Sequence, residues 1–339
     1  MSKITIALDV MGGDNAPTEQ VIGAGKFTKE VENCKVVLVG DESEIKKILD
    51  KNPHNASQIE ILHTSEFIGN DDSPKEAIRS KPKASILLAA DLVGKKEADA
   101  VVSSGNTGAV ILACAKKVPR IPGVSRTALS AIYPTQNKLN RKDSLALMLD
   151  VGANIHCDAE ELFQFALMGS AYSTSIQKVK EPLVGLLNMG SESHKGNDSM
   201  VNAHRILSES PNINFYGNIE GNNLMQGIVD VVVCEGIIGN IALKSVEGVA
   251  EVAKNLTKQA FKERLIWKMG IALLSGGIKQ LKNATDFAEY GGAPILGFSG
   301  ICIKAHGRSG NRAIKNALKV AAQAVQDKVC DKIEEKLEA

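Results

Sequence analysis

Aromatic residues are scarce, at 4% of 339 residues, and charge is balanced, with 40 Lys+Arg against 39 Asp+Glu. A chain with neither a stacking inventory nor a basic excess is poorly equipped to hold nucleic acid, so no nucleic-acid partner is expected. No run approaches the ~18 apolar residues of a membrane span. The apolar stretch 4–10 after Met-Ser-Lys is too short for a signal-peptide core with its cleavage site. Cysteines Cys34, Cys114, Cys157, Cys234, Cys302 and Cys330 show no CxxC spacing, and several lie in apolar stretches where the thiol behaves as a small hydrophobe. His156 beside Cys157 has no second pair at ligand spacing. A cytoplasmic chain without structural zinc is the expectation. Also missing are a GxxxxGK[ST] loop and a clean GxGxxG after the first apolar run, which leaves nucleotide chemistry poorly supported and predicts no cofactor.

What is present is an alternation. Apolar, β-rich runs at 4–10, 35–39, 59–62, 100–103, 145–150, 183–188 and 229–234 are separated by longer segments of helical period. Alternation of this kind predicts βαβ units and an α/β fold with a mainly parallel sheet flanked by helices. Near-continuous runs such as 229–234 suit strands covered on both faces. Helix starts are predicted at Pro17, at Ser73-Pro74-Lys75-Glu76, which joins an N-cap, a proline and a capping box, and at Asp158 with Glu161. Ile314, Leu318, Ala321, Val325, Val329 and Ile333 recur at helical spacing and predict one long C-terminal helix. The chain reads as a single catalytic unit over 1–339, with a soft internal break near 137–142.

Chemistry in parallel sheets collects at the carboxyl ends of strands, where loops feed helix N-termini. Four such turns are rich in glycine and asparagine and are expected at one sheet edge. The first holds Asp9, Gly12 and Gly13, and the second Ser104, Gly105, Asn106, Thr107 and Gly108. The third runs from Asn188 to Gly190, and the fourth holds Gly239 and Asn240. Each is either an amide nest for an anion or an ordinary tight turn. Lys195, in a polar loop with Glu192, suits phosphate or a developing oxyanion, or is a solvated lysine. His306 reads as a general base, a phosphate contact or a buried histidine. Asp150, before Asn154, reads first as a cap and second as an orienter of a cation.

The segment 251–282 carries seven Lys/Arg against two Glu, interleaved with large apolar residues and broken at Ser275-Gly276-Gly277. It predicts a protruding basic amphipathic helical hairpin. Lys262, Arg264, Leu265, Trp267, Lys268, Leu273 and Leu274 are its candidate contacts with a membrane surface or an acidic partner. A dimer or core helix is the competing reading.

The runs Ala7-Leu8-Asp9-Val10-Met11-Gly12-Gly13-Asp14-Asn15-Ala16-Pro17, Ser104-Gly105-Asn106-Thr107-Gly108-Ala109, Asp150-Val151-Gly152-Ala153-Asn154 and Tyr290-Gly291-Gly292-Ala293-Pro294 resemble bacterial phosphate acyltransferase, the acyl-ACP:phosphate transacylase family. The resemblance covers essentially the whole chain. It implies a fold like isopropylmalate dehydrogenase and phosphotransacetylase, and a homodimer; the basic segment 251–282 adds the expectation of peripheral association with the membrane. The implied reaction makes acyl phosphate from long-chain acyl carrier protein and inorganic phosphate, for use by a membrane glycerol-3-phosphate acyltransferase. It also implies functional roles for Lys195, with Glu192 and Gly196 in its loop, and for Asn240. Glu235, Ile237 and Asn223 depart from the residues usual in that family. Short-chain acyl-CoA phosphotransacetylase, a dinucleotide-dependent dehydrogenase and a non-enzymatic membrane-surface scaffold are the rival readings.

Overall fold

A computed structural model describes residues 3–263, 274 and 291–339. Its strands are β1 (Ile4–Asp9), β2 (Cys34–Gly40), β3 (Ile59–His63), β4 (Ala100–Ser103), β5 (Ala128–Pro134), β6 (Leu145–Leu149), β7 (Leu183–Leu187), β8 (Asn214–Ile219), β9 (Val231–Val233), β10 (Ala293–Leu296) and β11 (Ile301–Lys304). The helices that matter below are α1 (Thr18–Glu30), α2 (Glu42–Leu49), α3 (Pro74–Ser80), α4 (Ser85–Gly94), α5 (Thr107–Lys117), α6 (Ala159–Tyr172), α7 (Asp198–Glu209), α8 (Gly236–Glu263), α9 (Asn311–Gln326) and α10 (Val329–Glu338).

All eleven strands join one sheet in the order β3-β2-β1-β4-β11-β10-β5-β6-β9-β7-β8. The predicted α/β class is correct, with one refinement that matters for the site. Strands β3, β2, β1, β4 and β11 are parallel to one another. So are β6, β9, β7 and β8. Between these groups β10 is antiparallel to both β11 and β5, and β5 is antiparallel to β6. The two parallel groups therefore point in opposite directions. The turns after β1 and β4 lie at one edge of the sheet, and those after β6, β7 and β9 at the other, which corrects the expectation of a single edge.

Hydrophobic cores cover both faces. On one, Val21, Phe27, Leu162, Phe165, Leu207, Ile314 and Leu318 pack from α1, α6, α7 and α9 against Leu8, Val102, Leu147 and Val233. On the other, Ile78, Leu87, Ala90, Val110 and Ala113 pack from α3, α4 and α5 against Ala7, Val101 and Cys302. Strands with no exposed face cannot alternate polar with apolar, which is why β4 and β9 read as continuous apolar runs.

Local chemistry fixes the helix ends. Asp158 and Glu161 form the reciprocal capping box predicted for α6. At α3 the helix starts at Pro74 as predicted, but the Ser73 side chain makes no capping bond, so proline alone marks the boundary. The single long C-terminal helix is corrected to two: Lys328 takes φ 53°, a left-handed conformation that ends the run between α9 and α10. Residues 137–142 form a loop between β5 and β6. Within it Arg141 grips Asp230 through two bonds of 2.8 and 2.7 Å. The predicted hairpin at 251–282 lies outside the described residues beyond α8, save for an exposed Leu274.

Candidate functional site

Each sheet edge is organised around a carboxylate that has almost no contact with solvent. At the first edge, Asp9 ends β1 at 2% exposure. Its oxygens accept from the hydroxyls of Ser85 and Ser103, both at 2.6 Å, and from the Met11 amide at 3.2 Å. Ser103 in turn accepts from the Gly105 amide at 3.0 Å, while Ser104 donates to the Gly12 carbonyl at 2.8 Å. The turns after β1 and β4 are thereby locked against each other. Gly12 is required there, because a Cβ would lie 2.6 Å from the Asp9 carboxylate and 2.8 Å from the Gly105 backbone. Asn106 caps α5 by accepting from the Ala109 amide at 3.1 Å, which leaves Thr107 as the first, exposed residue of the helix.

The second edge repeats the device. Asp150, with no exposed surface, accepts from the amides of Leu129, Gly152, Ala153 and Asn154 at 2.7 to 3.1 Å, and from the Asn154 side chain at 2.9 Å. It caps its own turn, the first of its two readings. The start of α8 seats directly on this turn, since a Cβ at Gly239 would collide with the Asp150 carbonyl oxygen. Asn240 follows, its side-chain amide donating to the Val151 carbonyl at 3.1 Å. Burial pushes both carboxyls above the usual range, and the converging donors oppose that shift.

The two edges meet over the middle strands in a cavity of about 420 Å³. The first edge supplies Thr107, Lys304, His306 and Arg308. The second supplies Val151, Asn240, Leu243, Lys244 and Glu247. β5 and β10 add Leu129, Ala131, Ile132 and Ala293 to the lining. The lining therefore combines cations from both edges with aliphatic side chains of the middle strands. Burial lowers the His306 imidazole below its ordinary value, favouring the neutral ring.

Of the residues singled out in the sequence, Thr107, Asn240 and His306 line this cavity. Asp9, Gly12, Gly13, Ser104, Gly105, Asn106 and Gly108 build the turns behind Thr107, and Asp150, Asn154 and Gly239 build the seat for α8. Lys195 and the exposed Glu192 stand at the carboxyl end of β7, at the second edge but outside the cavity lining. The Lys195 amide donates to the Glu192 carbonyl at 3.1 Å, and its own carbonyl accepts from Asn188 at 2.9 Å. The side chains of Lys262, Arg264, Leu265, Trp267, Lys268 and Leu273 lie outside the described residues. Sequence reasoning missed Lys304, Lys244 and Arg308. A lysine closing the apolar run Ile301-Cys302-Ile303 was the available signal, since a strand buried on both faces has no solvent for a charge.

An α/β sheet of two opposed parallel groups with a cavity across their seam defines a class. A phosphotransacetylase from Streptococcus pyogenes shares the fold, with a TM-score of 0.65 at 16% identity over 96% of this chain and 94% of that one. The chain belongs to the fatty acid synthesis protein family, whose model matches residues 4–332. It is 45% identical to a phosphate acyltransferase of Dictyoglomus turgidum over 93% of this chain and 92% of the relative. It is likewise 45% identical to one of Fusobacterium nucleatum over 93% and 94%.

Replacing Asp150 by alanine strands four main-chain amides without an acceptor. Asp150→Ala is expected to lower stability by about 3 kcal/mol or more, read as a lower urea midpoint. An unchanged midpoint would show that the turn holds without its carboxylate.

Proposed function

We propose that this protein transfers an acyl group from the thioester of a long-chain acyl carrier protein to inorganic phosphate, releasing the carrier thiol and an acyl phosphate for phospholipid synthesis. The observation that carries the reading is the cavity itself, lined both by cations beside the N-terminus of α5 and by aliphatic side chains. An anionic acceptor and a greasy donor need those two environments side by side. The family and its relatives named phosphate acyltransferase support the same reading.

In the proposed step a phosphate oxygen attacks the thioester carbonyl carbon, and the carbonyl electron pair moves onto oxygen. Asn240 and Lys195 stabilise that oxyanion or orient the nucleophile. Collapse of the tetrahedral species breaks the carbon–sulfur bond and the thiolate departs. Phosphate is already anionic near neutral pH, and a thiol of pKa about 8.5 leaves far more easily than an alkoxide, so the demand for a strong general base or acid is small. Positioning does most of the work.

A short-chain acyl-CoA phosphotransacetylase would use the same chemistry, and the fold of the Streptococcus pyogenes protein favours keeping it as the second reading. Rates across acyl lengths, and on carrier protein against coenzyme A, separate the two. Lys195→Ala and Asn240→Ala are each expected to reduce phosphate-dependent thiol release by about 100-fold or more; Lys195→Ala leaves the urea midpoint unmoved, whereas Asn240→Ala lowers stability by about 1 kcal/mol through its lost bond to the Val151 carbonyl. Wild-type turnover in Lys195→Ala would remove that residue from the mechanism.

The same reading makes the protein a homodimer held at the membrane surface, where a membrane glycerol-3-phosphate acyltransferase consumes the product. Among the described residues no helix is long and apolar enough to cross a bilayer. What supports a surface role is α8, which exposes Ile241, Val249, Val252 and Leu256 along its length and leads into the basic segment 251–282. Light scattering is expected to give twice the chain mass. Flotation with anionic liposomes is expected to fail in Trp267→Glu, Leu274→Glu. A monomeric mass, or flotation equal to wild type in that variant, would refute the corresponding half of this reading.

A further inference from the structure

Lys304 is the one buried lysine among the described residues, at 7% exposure, and it lines the cavity. Strand register explains how it comes to be there. On the parallel strands β1, β4 and β11, Asp9 pairs with Ser103 and Ser103 with Lys304, so the three side chains share one face of the sheet at its first edge. Asp9 is already committed to Ser85, Ser103 and the Met11 amide. No ion pair within 4 Å reaches the Lys304 ammonium among the described residues. Its hydrogen bond goes to the carbonyl of the neighbouring Ala305. Taking a cation out of water costs several kcal/mol unless an anion answers it, and among the described residues Asp9 and Asp14 act on this one only from beyond ion-pair distance.

We propose that Lys304, which lines the cavity with Thr107 of α5 and His306, is the anchor for the phosphate that accepts the acyl group. Naming the anion as the acyl acceptor rests on the reaction proposed above; the existence of an oxyanion site does not. The α5 N-terminus adds amides and the positive end of a helix dipole.

The charges facing Lys304 make the site sensitive to pH. Asp9 from β1 and Asp14 from the following turn favour its protonated form. Lys244 from α8 opposes it, as does burial, the largest effect, and the ammonium is held down to about 8. Glu247 on α8, paired with Lys244 at 2.6 Å, and His306 and Arg308 from the loop after β11 also face the cavity. Below pH 8 the site is charged and ready for an anion. Above it the charge is lost unless binding draws a proton in, so affinity for phosphate falls as pH rises through that value. Arginine at this position would keep its charge and remove the dependence.

The test measures inorganic phosphate binding by calorimetry at pH 7 and pH 9, with acyl phosphate trapped by hydroxylamine in parallel, for wild type, Lys304→Met and Lys304→Arg. Lys304→Met is expected to weaken phosphate binding by about ten- to hundredfold and to raise the phosphate KM to match. Wild type is expected to lose affinity between pH 7 and pH 9, and Lys304→Arg to hold it. Unchanged phosphate affinity in Lys304→Met, at either pH, would overturn the assignment. Should that variant not fold, Lys304→Gln takes its place, and unchanged phosphate affinity there overturns the assignment equally. Wild type that binds phosphate through Lys304 yet forms no acyl phosphate from acyl carrier protein would sink the acyltransferase reading and leave the anion site standing.

Discussion

A carboxylate removed from water must be met by hydrogen-bond donors, and in this protein two such groups, Asp9 and Asp150, are met by the turns that follow their own strands and by the neighbours those turns must contact. Each buried charge therefore ties a sequence-local loop to a distant element: Asp9 to Ser85 and Ser103, Asp150 to the Leu129 amide. The amide donors that hold Asp150 are themselves held in place by it, so the turn has one arrangement with every polar group satisfied. The close approaches at Gly12 and Gly239 follow from these bonds, since both glycines sit where the locked turns leave no room for a side chain.

Strand direction converts these two local devices into one site. Had the sheet been parallel throughout, all the organised turns would share an edge. The reversal across β10 and β5 places them at opposite edges, and the cavity spans the seam between them. Thr107 and Lys304 arrive from one side, Asn240 and Val151 from the other, with β5 and β10 contributing aliphatic lining. The polarity of the cavity thus follows from which ends meet. Helix α5 brings its N-terminus to the cavity beside the cations, and Leu129, Ala131 and Leu243 add apolar surface.

The α/β class and seven of the strands were legible because buried parallel strands leave continuous apolar runs. The strands that escaped notice had other patterns. β8 is a half-exposed edge strand, Asn-Phe-Tyr-Gly-Asn-Ile, while β10 opens Ala-Pro and spans four residues. Missing β10 and β5 also hid the reversal of direction, and with it the separation of the turns. Glycine and asparagine marked the turns that carry Thr107 and Asn240, because tight backbone approach selects those residues. The only local mark of Lys304 was its place at the end of the apolar run 301–303. Its position depends on register across three strands remote in sequence, and its chemistry on the lack of an ion pair within 4 Å among the described residues, which only the assembled sheet reveals.

The central claim is that one cavity brings inorganic phosphate to a carrier-bound thioester. Phosphorus NMR of inorganic phosphate with the wild-type protein, during addition of palmitoyl-acyl carrier protein, tests it most directly. The account predicts an acyl phosphate resonance that grows in step with the thiol released. A phosphate signal that persists unaltered while the thioester remains intact would contradict it.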